Sequence, residues 1–301
     1  ANIAIGNLNT FPYVMDSSAG NYNIAIGTEA MMAQTSGERN VGLGYQAGRS
    51  NVGGDYNTFM GFGAGRGTTS GTYAGNTGLG YNTLYTVNTG NNNTAVGRNA
   101  LYYLDKGEKS VAVGNSAGYY ATGSYNTFVG TDAGLGGTTS APFSSGQYNT
   151  ALGYQALKGF TTGGSNTAIG NNAAYRLTTG GNNIAIGDNT LTALGVSGGH
   201  NIIMGYSAGT SVTSGNYNIA IGRESLVHTS TADYNLAIGY KALQYTGQKI
   251  STTTDNIGIG REAGQYSAAS NNIWMGSFAG KGSSANAHSP GVNNIGIGYQ
   301  S

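Results

Sequence analysis

Residues 23–27 read Asn-Ile-Ala-Ile-Gly, and this pentapeptide decides the fold because variants of it recur along the whole chain. Seventeen copies begin at Asn2, Asn23, Asn40, Asn57, Asn76, Asn93, Ser110, Asn126, Asn149, Asn166, Asn183, Asn201, Asn218, Asn235, Asn256, Asn272 and Asn294. The commonest spacing between successive copies is 17 residues, as from Asn23 to Asn40, and the other spacings lie between 16 and 23 residues. Such a period is typical of one structural unit stacked on copies of itself. It predicts a single repeat domain of about 17 coils over residues 1–301.

The pentapeptide is predicted to be a short β-strand. Positions two and four, such as Ile24 and Ile26, are aliphatic or Thr in every copy, and such runs between turn residues favour strands. These two positions share one face of a strand, and Ala25 at position three lies on the other. We expect positions two and four to point into the coil. A second segment, such as Gln155-Ala156-Leu157, is interpreted as the second strand. The fold class is therefore all-β, a parallel β-solenoid with about 17 residues per coil.

The two ends of the pentapeptide predict the corners of each coil. Gly at position five occurs in all seventeen copies, which indicates a positive φ or packing too close for a Cβ. Asn at position one occurs in sixteen copies. Asn tolerates the left-handed conformation, so it suits the opposite corner. Stacked coils would also align these Asn side chains in a ladder, amide to amide.

Position three indicates how the coils fill their interior. It is Ala or Gly in thirteen copies and large in four, namely Phe59, Phe128, Ile203 and Trp274. In these four coils the second segment ends in Gly instead of Leu, at Gly65, Gly134, Gly209 and Gly280. We interpret this as compensation of volume across one shared space.

Four expanded coils contain the candidate binding loops. In these coils the next pentapeptide follows later than elsewhere, and the three prolines of the chain, Pro12, Pro142 and Pro290, lie in three of them. Because Pro cannot donate into a sheet ladder, these segments are expected to leave the stack as loops. Loops on a rigid scaffold often carry binding residues. The candidate receptor contacts are therefore Phe11, Tyr13 and Phe143.

Composition argues against several kinds of partner. The chain has 13 Lys and Arg against 12 Asp and Glu, and only 8% of its residues are charged. It therefore has no basic stripe for nucleic acid and no polybasic segment for a membrane surface. No apolar run reaches the ~20 residues of a membrane-spanning helix. We expect neither nucleic-acid binding nor membrane insertion. The absence of Cys excludes disulfides.

The sequence offers no constellation for catalysis. The three His residues, at positions 200, 228 and 288, lie in different coils and lack metal-like spacing. Asp and Glu are scattered singly, so no carboxylate pair favours acid–base chemistry. The prediction is a protein without catalytic, cofactor or metal site, and therefore not an enzyme.

The run NTALGYQAL at residues 149–157 resembles a known class of fibrous repeats. It is similar to the YadA-like head repeats of trimeric autotransporter adhesins. That resemblance implies a left-handed parallel β-roll, with three rolls side by side. The longer form of this repeat, in which Thr-Thr-Gly-Ser-Asn-Asn linkers join the copies, is more similar to shafts of phage and large-virus tail fibres. Such fibres often end in a self-cleaving chaperone domain. The coil here is longer than the adhesin repeat.

These observations give one leading function and three alternatives. The leading one is a structural and adhesive segment inside a longer fibre, the rigid shaft of a viral tail fibre. Small residues at position three would let chains approach closely in a homotrimer, displayed on a virion or cell surface or otherwise extracellular. A host-surface glycan or protein receptor would be its further partner. The main alternative is the head of a bacterial trimeric autotransporter adhesin. The other two alternatives are a polysaccharide-degrading solenoid enzyme, which would need a carboxylate cluster, and an ice-binding solenoid, which would need a regular Thr array. This sequence shows neither feature.

Overall fold

The computed structural model describes residues 2–6, 20–68, 70–137, 143–245, 253–267, 269–282 and 291–301. Contacts divide the chain into two compact units, residues 1–149 and 150–301. Within the described ranges each regular element is a strand of three residues, formed by positions two to four of a pentapeptide. The repeat of the sequence is therefore also the repeat of the structure.

The first unit has eight strands and the second has nine. The first contains β1 (Ile3–Ile5), β2 (Ile24–Ile26), β3 (Val41–Leu43), β4 (Thr58–Met60), β5 (Thr77–Leu79), β6 (Thr94–Val96), β7 (Val111–Val113) and β8 (Thr127–Val129). The second contains β9 (Thr150–Leu152), β10 (Thr167–Ile169), β11 (Ile184–Ile186), β12 (Ile202–Met204), β13 (Ile219–Ile221), β14 (Leu236–Ile238), β15 (Ile257–Ile259), β16 (Ile273–Met275) and β17 (Ile295–Ile297).

Within each unit, consecutive strands pair in parallel and in register. In the first unit Ala25 pairs with Gly42, so that position three faces position three. In the second unit Ala220 pairs with Ala237 in the same way. The predicted fold class is confirmed: each unit is a parallel β-solenoid with about 17 residues per coil. This register places equivalent residues of successive coils directly above one another.

The predicted facing of the strands is wrong. Position three is buried in every strand from β2 to β15 and in β17, whereas positions two and four are buried in none. Ala220 is fully buried, but the neighbouring Ile221 is 38% exposed. The interior takes position three, which is usually small, because Ala and Leu side chains of the following turn already fill most of the space inside the coil. Within each unit the aliphatic positions consequently form an outer face.

The predicted second strand is also wrong, because this segment forms tight turns. In the coil of β9, Ala156 N donates to Gly153 O and Lys158 N to Gln155 O. Gln155 and Leu157 have φ of +54° and +53°, and such alternating left-handed residues cannot form a strand. The segment still bonds to the next coil, where Leu157 N donates to Ala173 O at 2.8 Å. Leu157 and Ala156 are fully buried and complete the core of this coil.

The predicted exchange of volume between position three and the turn is confirmed. Phe128 is fully buried, and a Cβ added at Gly134 would overlap its ring. A Cβ at Gly65 would overlap the ring of Phe59 in the same way. A large residue at position three therefore occupies the space that Leu occupies in other coils.

The Asn ladder is confirmed, but its Asn residues do not form the left-handed corner. Asn40 donates to Asn23 Oδ1 from its main-chain N at 2.9 Å and from its Nδ2 at 3.1 Å. The left-handed residue is the one before the Asn, such as Tyr22 with φ +64°. The prediction for position five holds, since Gly27 has φ +129°. The corner before each strand is thus made by a left-handed residue and the Asn that follows it. The buried Asn links its coil to the neighbouring one.

Candidate functional site

An outward aliphatic stripe follows the strands of each unit. Positions two and four are half-buried or exposed in every strand, and no charged residue occupies either position. In the first unit Met60 is 43% exposed, and in the second Leu152 is 47% exposed. Seven steps of ~4.8 Å across eight strands make the stripe of the first unit about 34 Å long. Position four is aliphatic in every strand, whereas position two is Thr in six of them. Exposed apolar surface of this extent often lies where a protein contacts a partner, so the stripe is a candidate contact surface.

Aromatic side chains form separate columns along the outside of the coils. Tyr45, Phe62 and Tyr81, each directly after a position-five Gly, stack with centroid distances of 4.9 and 5.3 Å. Tyr125 and Tyr148, each directly before a pentapeptide, stack at 4.9 Å. Rings of successive coils therefore stack in ladders at these places. Such columns present ring edges and hydroxyl groups to water.

Phe143 is the predicted contact residue that the structure describes, and it joins a cluster of rings. Tyr103 and Tyr120 occupy equivalent places in the coils of β6 and β7, and their centroids lie 5.4 Å apart. Phe143 stacks on Tyr103 at 4.4 Å and on Tyr120 at 5.8 Å. The next equivalent place is Gly136, which has no side chain. The expanded coil of β8 thus supplies an aromatic ring where the column has none.

The neighbouring column contains two Tyr side chains whose pKa values are raised. Tyr102 stacks between Tyr85 at 4.8 Å and Tyr119 at 5.0 Å. Burial, helped by the adjacent phenols, raises the pKa of Tyr102 to about 12. Burial likewise raises the pKa of Tyr119. The hydroxyl groups of Tyr102 and Tyr119 therefore stay uncharged, and able to donate hydrogen bonds, to higher pH than an ordinary Tyr does.

A groove of about 630 Å³ lies beside Phe143 in the first unit. Tyr103 and Phe143 provide its aromatic side, and its polar side includes Asn88, Asp105 and Lys106. Asn88 Nδ2 donates to Asp105 Oδ1 at 2.7 Å, which holds the carboxylate in place. A concave space of this size, with aromatic walls and a few oriented polar groups, is typical of ligand sites.

Carboxylates elsewhere form ion pairs between coils. In the first unit, hydrogen bonds from Gln46 and then Arg49 lower the pKa of Glu29. In the second unit, burial raises the pKa of Glu262, but Lys281 and Arg261 outweigh it and leave that pKa lowered. These groups are ionised at neutral pH and act as links between coils, which suits structural side chains better than acid–base catalysts.

The three predicted contact residues have different outcomes. Phe11 and Tyr13 lie outside the described residues. Phe143 lies at the groove, together with Tyr103 and Asp105, which the sequence reasoning did not single out. The signal that could have found Tyr103 is its recurrence: the pair Tyr102 and Tyr103 returns one coil later as Tyr119 and Tyr120. Such doubled columns indicate a broad aromatic surface.

The described part of the chain has neither a metal-ligand cluster nor a membrane-spanning helix. There, no group of three or more His, Cys, Asp or Glu side chains is placed to hold a metal ion. The same residues include no helix with the length and hydropathy needed to cross a membrane. The stripe and the groove are the candidate functional surfaces among the described residues.

Comparison with known proteins returns no relative of this chain. No family model, no curated protein and no solved structure matches it. The function therefore has to be inferred from the chain's own surfaces.

Proposed function

We propose that this chain is a structural segment of a trimeric fibre and serves as the rigid shaft of a viral tail fibre. The observation that carries the proposal is the aliphatic stripe, which continues from strand to strand in each unit with no charged residue. A surface of this kind is stabilised when other chains cover it. The partner that repeats with the same period is a second copy of the chain itself.

Closed symmetric assembly fits this surface. Each copy carries the same stripe, so a three-fold axis beside the stripe brings three copies of it together and gives a closed assembly. Three chains would enclose the stripes in a common apolar centre and leave the aromatic columns in water. The close approach between chains would then use positions two and four, and not the small residues at position three, which lie inside the coil.

The coils are also linked in a way that suits a stiff shaft. Ile219 N donates to Asn235 O in the strand layer at 2.8 Å, and Leu226 N donates to Ala242 O in the turn layer at 3.1 Å. Asn235 Nδ2 donates to Asn218 Oδ1 between them at 3.1 Å. Bending between two coils would break hydrogen bonds in the strand layer, in the turn layer and in the buried Asn ladder. Stacked repeats with such nearest-neighbour links transmit load along the stack.

The head of a bacterial trimeric autotransporter adhesin is the second candidate. It would use the same stripe and the same trimer, and would likewise lie at a cell surface. We expect a host-surface glycan or protein as the receptor in either case. Sequencing the gene downstream of Ser301 separates the two: a chaperone domain supports the tail fibre, whereas a coiled-coil stalk and membrane anchor support the adhesin. Immunogold labelling of purified virions tests the location directly.

Catalytic and ice-binding functions have less support. Glu29 forms an ion pair with Arg49 of the next coil, which suits a structural link between coils. On the stripe, Thr58, Thr77 and Thr94 follow one another, but Val111 interrupts them. An ice-binding face would need that array to continue. We propose that the chain has no enzymatic activity.

Sedimentation velocity of the whole chain tests the proposal. The expected result is a trimer, and the double variant Leu152→Asp/Ile221→Asp should sediment as a monomer because it places charges within the shared apolar centre. The control is Leu194→Asp, since Leu194 is 75% exposed and lies outside the stripe. A monomeric parent chain would refute the trimer, and an unaffected double variant would refute the stripe as its interface.

A further inference from the structure

The groove beside Phe143 has an aromatic wall built by two coils. The rings of Tyr103 and Phe143 lie 4.4 Å apart and 29° from parallel, and both side chains are half-buried. Thr86, which occupies the place of Tyr103 one coil earlier, also lines the groove. The column therefore steps from rings down to a small side chain. The smaller Thr86 side chain leaves a concave surface beside Tyr103, whereas a column with a ring in every coil would leave none.

The polar wall is held by hydrogen bonds before any ligand arrives. Asn88 Nδ2 donates to Asp105 Oδ1 at 2.7 Å and to Thr68 Oγ1 at 2.9 Å. Asn88 Oδ1 accepts from Thr68 N at 3.1 Å. The orientation of Asp105 is thereby fixed, and a carboxylate has about four acceptor positions, of which this bond uses one. Preorganised acceptors of this kind recognise hydroxyl groups with little loss of entropy.

The charges of the groove indicate a neutral ligand. Among the described lining residues, Asp105 contributes −1 and Lys106 contributes +1, so their net charge is zero (−1 + 1 = 0). A phosphate-rich ligand would require an excess of cationic groups, and the described residues of the groove do not provide one. An extended peptide would require a row of main-chain donors and acceptors along an open strand edge. The groove offers side-chain rings and oxygens instead.

We infer that this groove binds a neutral oligosaccharide. One pyranose ring packs its C–H groups against the parts of Tyr103 and Phe143 that line the groove, and its hydroxyl groups donate to Asp105. Lys106 donates to a ring or hydroxyl oxygen from the exposed rim. This assignment deepens the proposed function, because it names the receptor class that a fibre shaft would engage. The binding itself needs only residues of the first unit.

The test is binding of the whole chain to an array of neutral tetrasaccharides, with sialyllactose and a heparin tetrasaccharide as anionic probes. The neutral set comprises chitotetraose, maltotetraose, cellotetraose and mannotetraose. The best neutral ligand is then titrated by calorimetry. Tyr103→Ala should weaken its affinity about tenfold or more, because the stacking ring is lost. Asp105→Asn should weaken it as well, although its amide oxygen can still accept from Asn88. Tyr103→Phe should retain most of the affinity.

Tyr125→Ala is the matched control, because Tyr125 stacks on Tyr148 outside the groove and should leave binding unchanged. Circular dichroism of each variant checks that the coils remain, and Asp105→Asn decides the matter if Tyr103→Ala loses its fold. The inference is overturned if no neutral tetrasaccharide binds at millimolar concentration, if only anionic probes bind, or if the groove variants bind like the parent. Sedimentation of the same samples separates the two proposals. A trimer that ignores sugars overturns this inference alone, and a monomer that binds them overturns the trimeric shaft alone.

Discussion

The side-chain oxygen of Asn201 accepts two hydrogen bonds from Asn218, one from its main-chain N at 2.9 Å and one from its Nδ2 at 3.1 Å. Asn218 Oδ1 accepts the same two bonds from Asn235, and Asn218 Nδ2 also donates to the carbonyl of Ala232 at 2.8 Å. All of these groups lie in the interior of the second unit, where Asn201 and Asn218 are fully buried. Each amide therefore satisfies polar groups of its own coil and of both neighbours.

Replacing Asn218 tests this ladder. Asn218→Ala should lower the free energy of unfolding by about 2–4 kcal/mol, because several buried donors and acceptors lose their partners. Asn218→Ser should cost less, since Ser110 already takes this place in the first unit and its Oγ accepts from Asn126 N at 3.2 Å. Urea unfolding followed by circular dichroism measures both variants. Equal losses for Ala and Ser would contradict the ladder as the source of the effect.

The facing of the strands gives a second prediction, on two adjacent residues of β13. Ala220→Asp should unfold the coils or cost several kcal/mol, because it places a charge without a partner inside the core. Ile221→Asp should change stability far less in the isolated chain, since Ile221 is 38% exposed. Thermal unfolding at a concentration too low for assembly compares the two. If Ile221→Asp is the more destabilising of the pair, the strand faces the opposite way.

Exchange of volume between a strand and its turn gives a third prediction. Phe128→Ala should cost about 3–5 kcal/mol because it leaves a cavity in the core. Gly134→Leu alone should also destabilise, since the added side chain overlaps Phe128. The double variant should recover part of both losses, because Leu101 holds the same turn position with φ +49° beside Ala95. Urea unfolding of the parent, the two single variants and the double variant gives the coupling energy between the two positions. If the losses of the single variants simply add in the double variant, the two side chains do not share a space.

His228 makes stability depend on pH. It stacks on Tyr245 at 4.7 Å, and burial lowers its pKa below the ordinary value of 6.5. The unfolded chain therefore takes up the proton at higher pH than the folded chain does. The stability that neutral His228 contributes to the folded chain is fully present above about pH 6.5. It is lost as the pH falls towards the pKa of His228 in the folded chain. Urea unfolding at pH 7.5 and 5 should show a larger loss in the parent than in His228→Phe, which keeps the stacked ring. Equal losses would remove His228 as the cause.

Much of the fold could be predicted from the spacing of the pentapeptides. Parallel pairing, the period and the corner at Gly27 all depend on local rules that a repeat applies many times. The facing of Ile24 and Ile26 could not be predicted in this way. A three-residue strand has only two faces, and the usual preference for burying aliphatic residues chose the wrong one. That preference assumes a chain that covers its own apolar surface.

The other errors have similarly specific causes. Asn40 can adopt the left-handed conformation, but its buried amide must reach Asn23, so the left-handed place belongs to Arg39 before it. Phe143 was singled out as a candidate because it lies beside an inserted segment with a Pro, and the structure places it at the groove. Asp105 was not found, because its orientation depends on Asn88 from another coil. Contacts between coils require the register as well as the spacing.

The position-five glycines restrict how such a chain can change during evolution. A Cβ added at Gly27 would lie 2.6 Å from the carbonyl oxygen of Gly44, and one at Gly44 would lie 2.5 Å from that of Gly61. A substitution at one corner therefore disturbs the coil that follows, and no change in that coil's own side chains can relieve it. Length can vary between the corners, since the interval from Gly130 to Gly153 is longer than the one from Gly114 to Gly130. Such genes are consequently expected to grow and shrink by duplication or deletion of whole coils, with each breakpoint preserving the glycine.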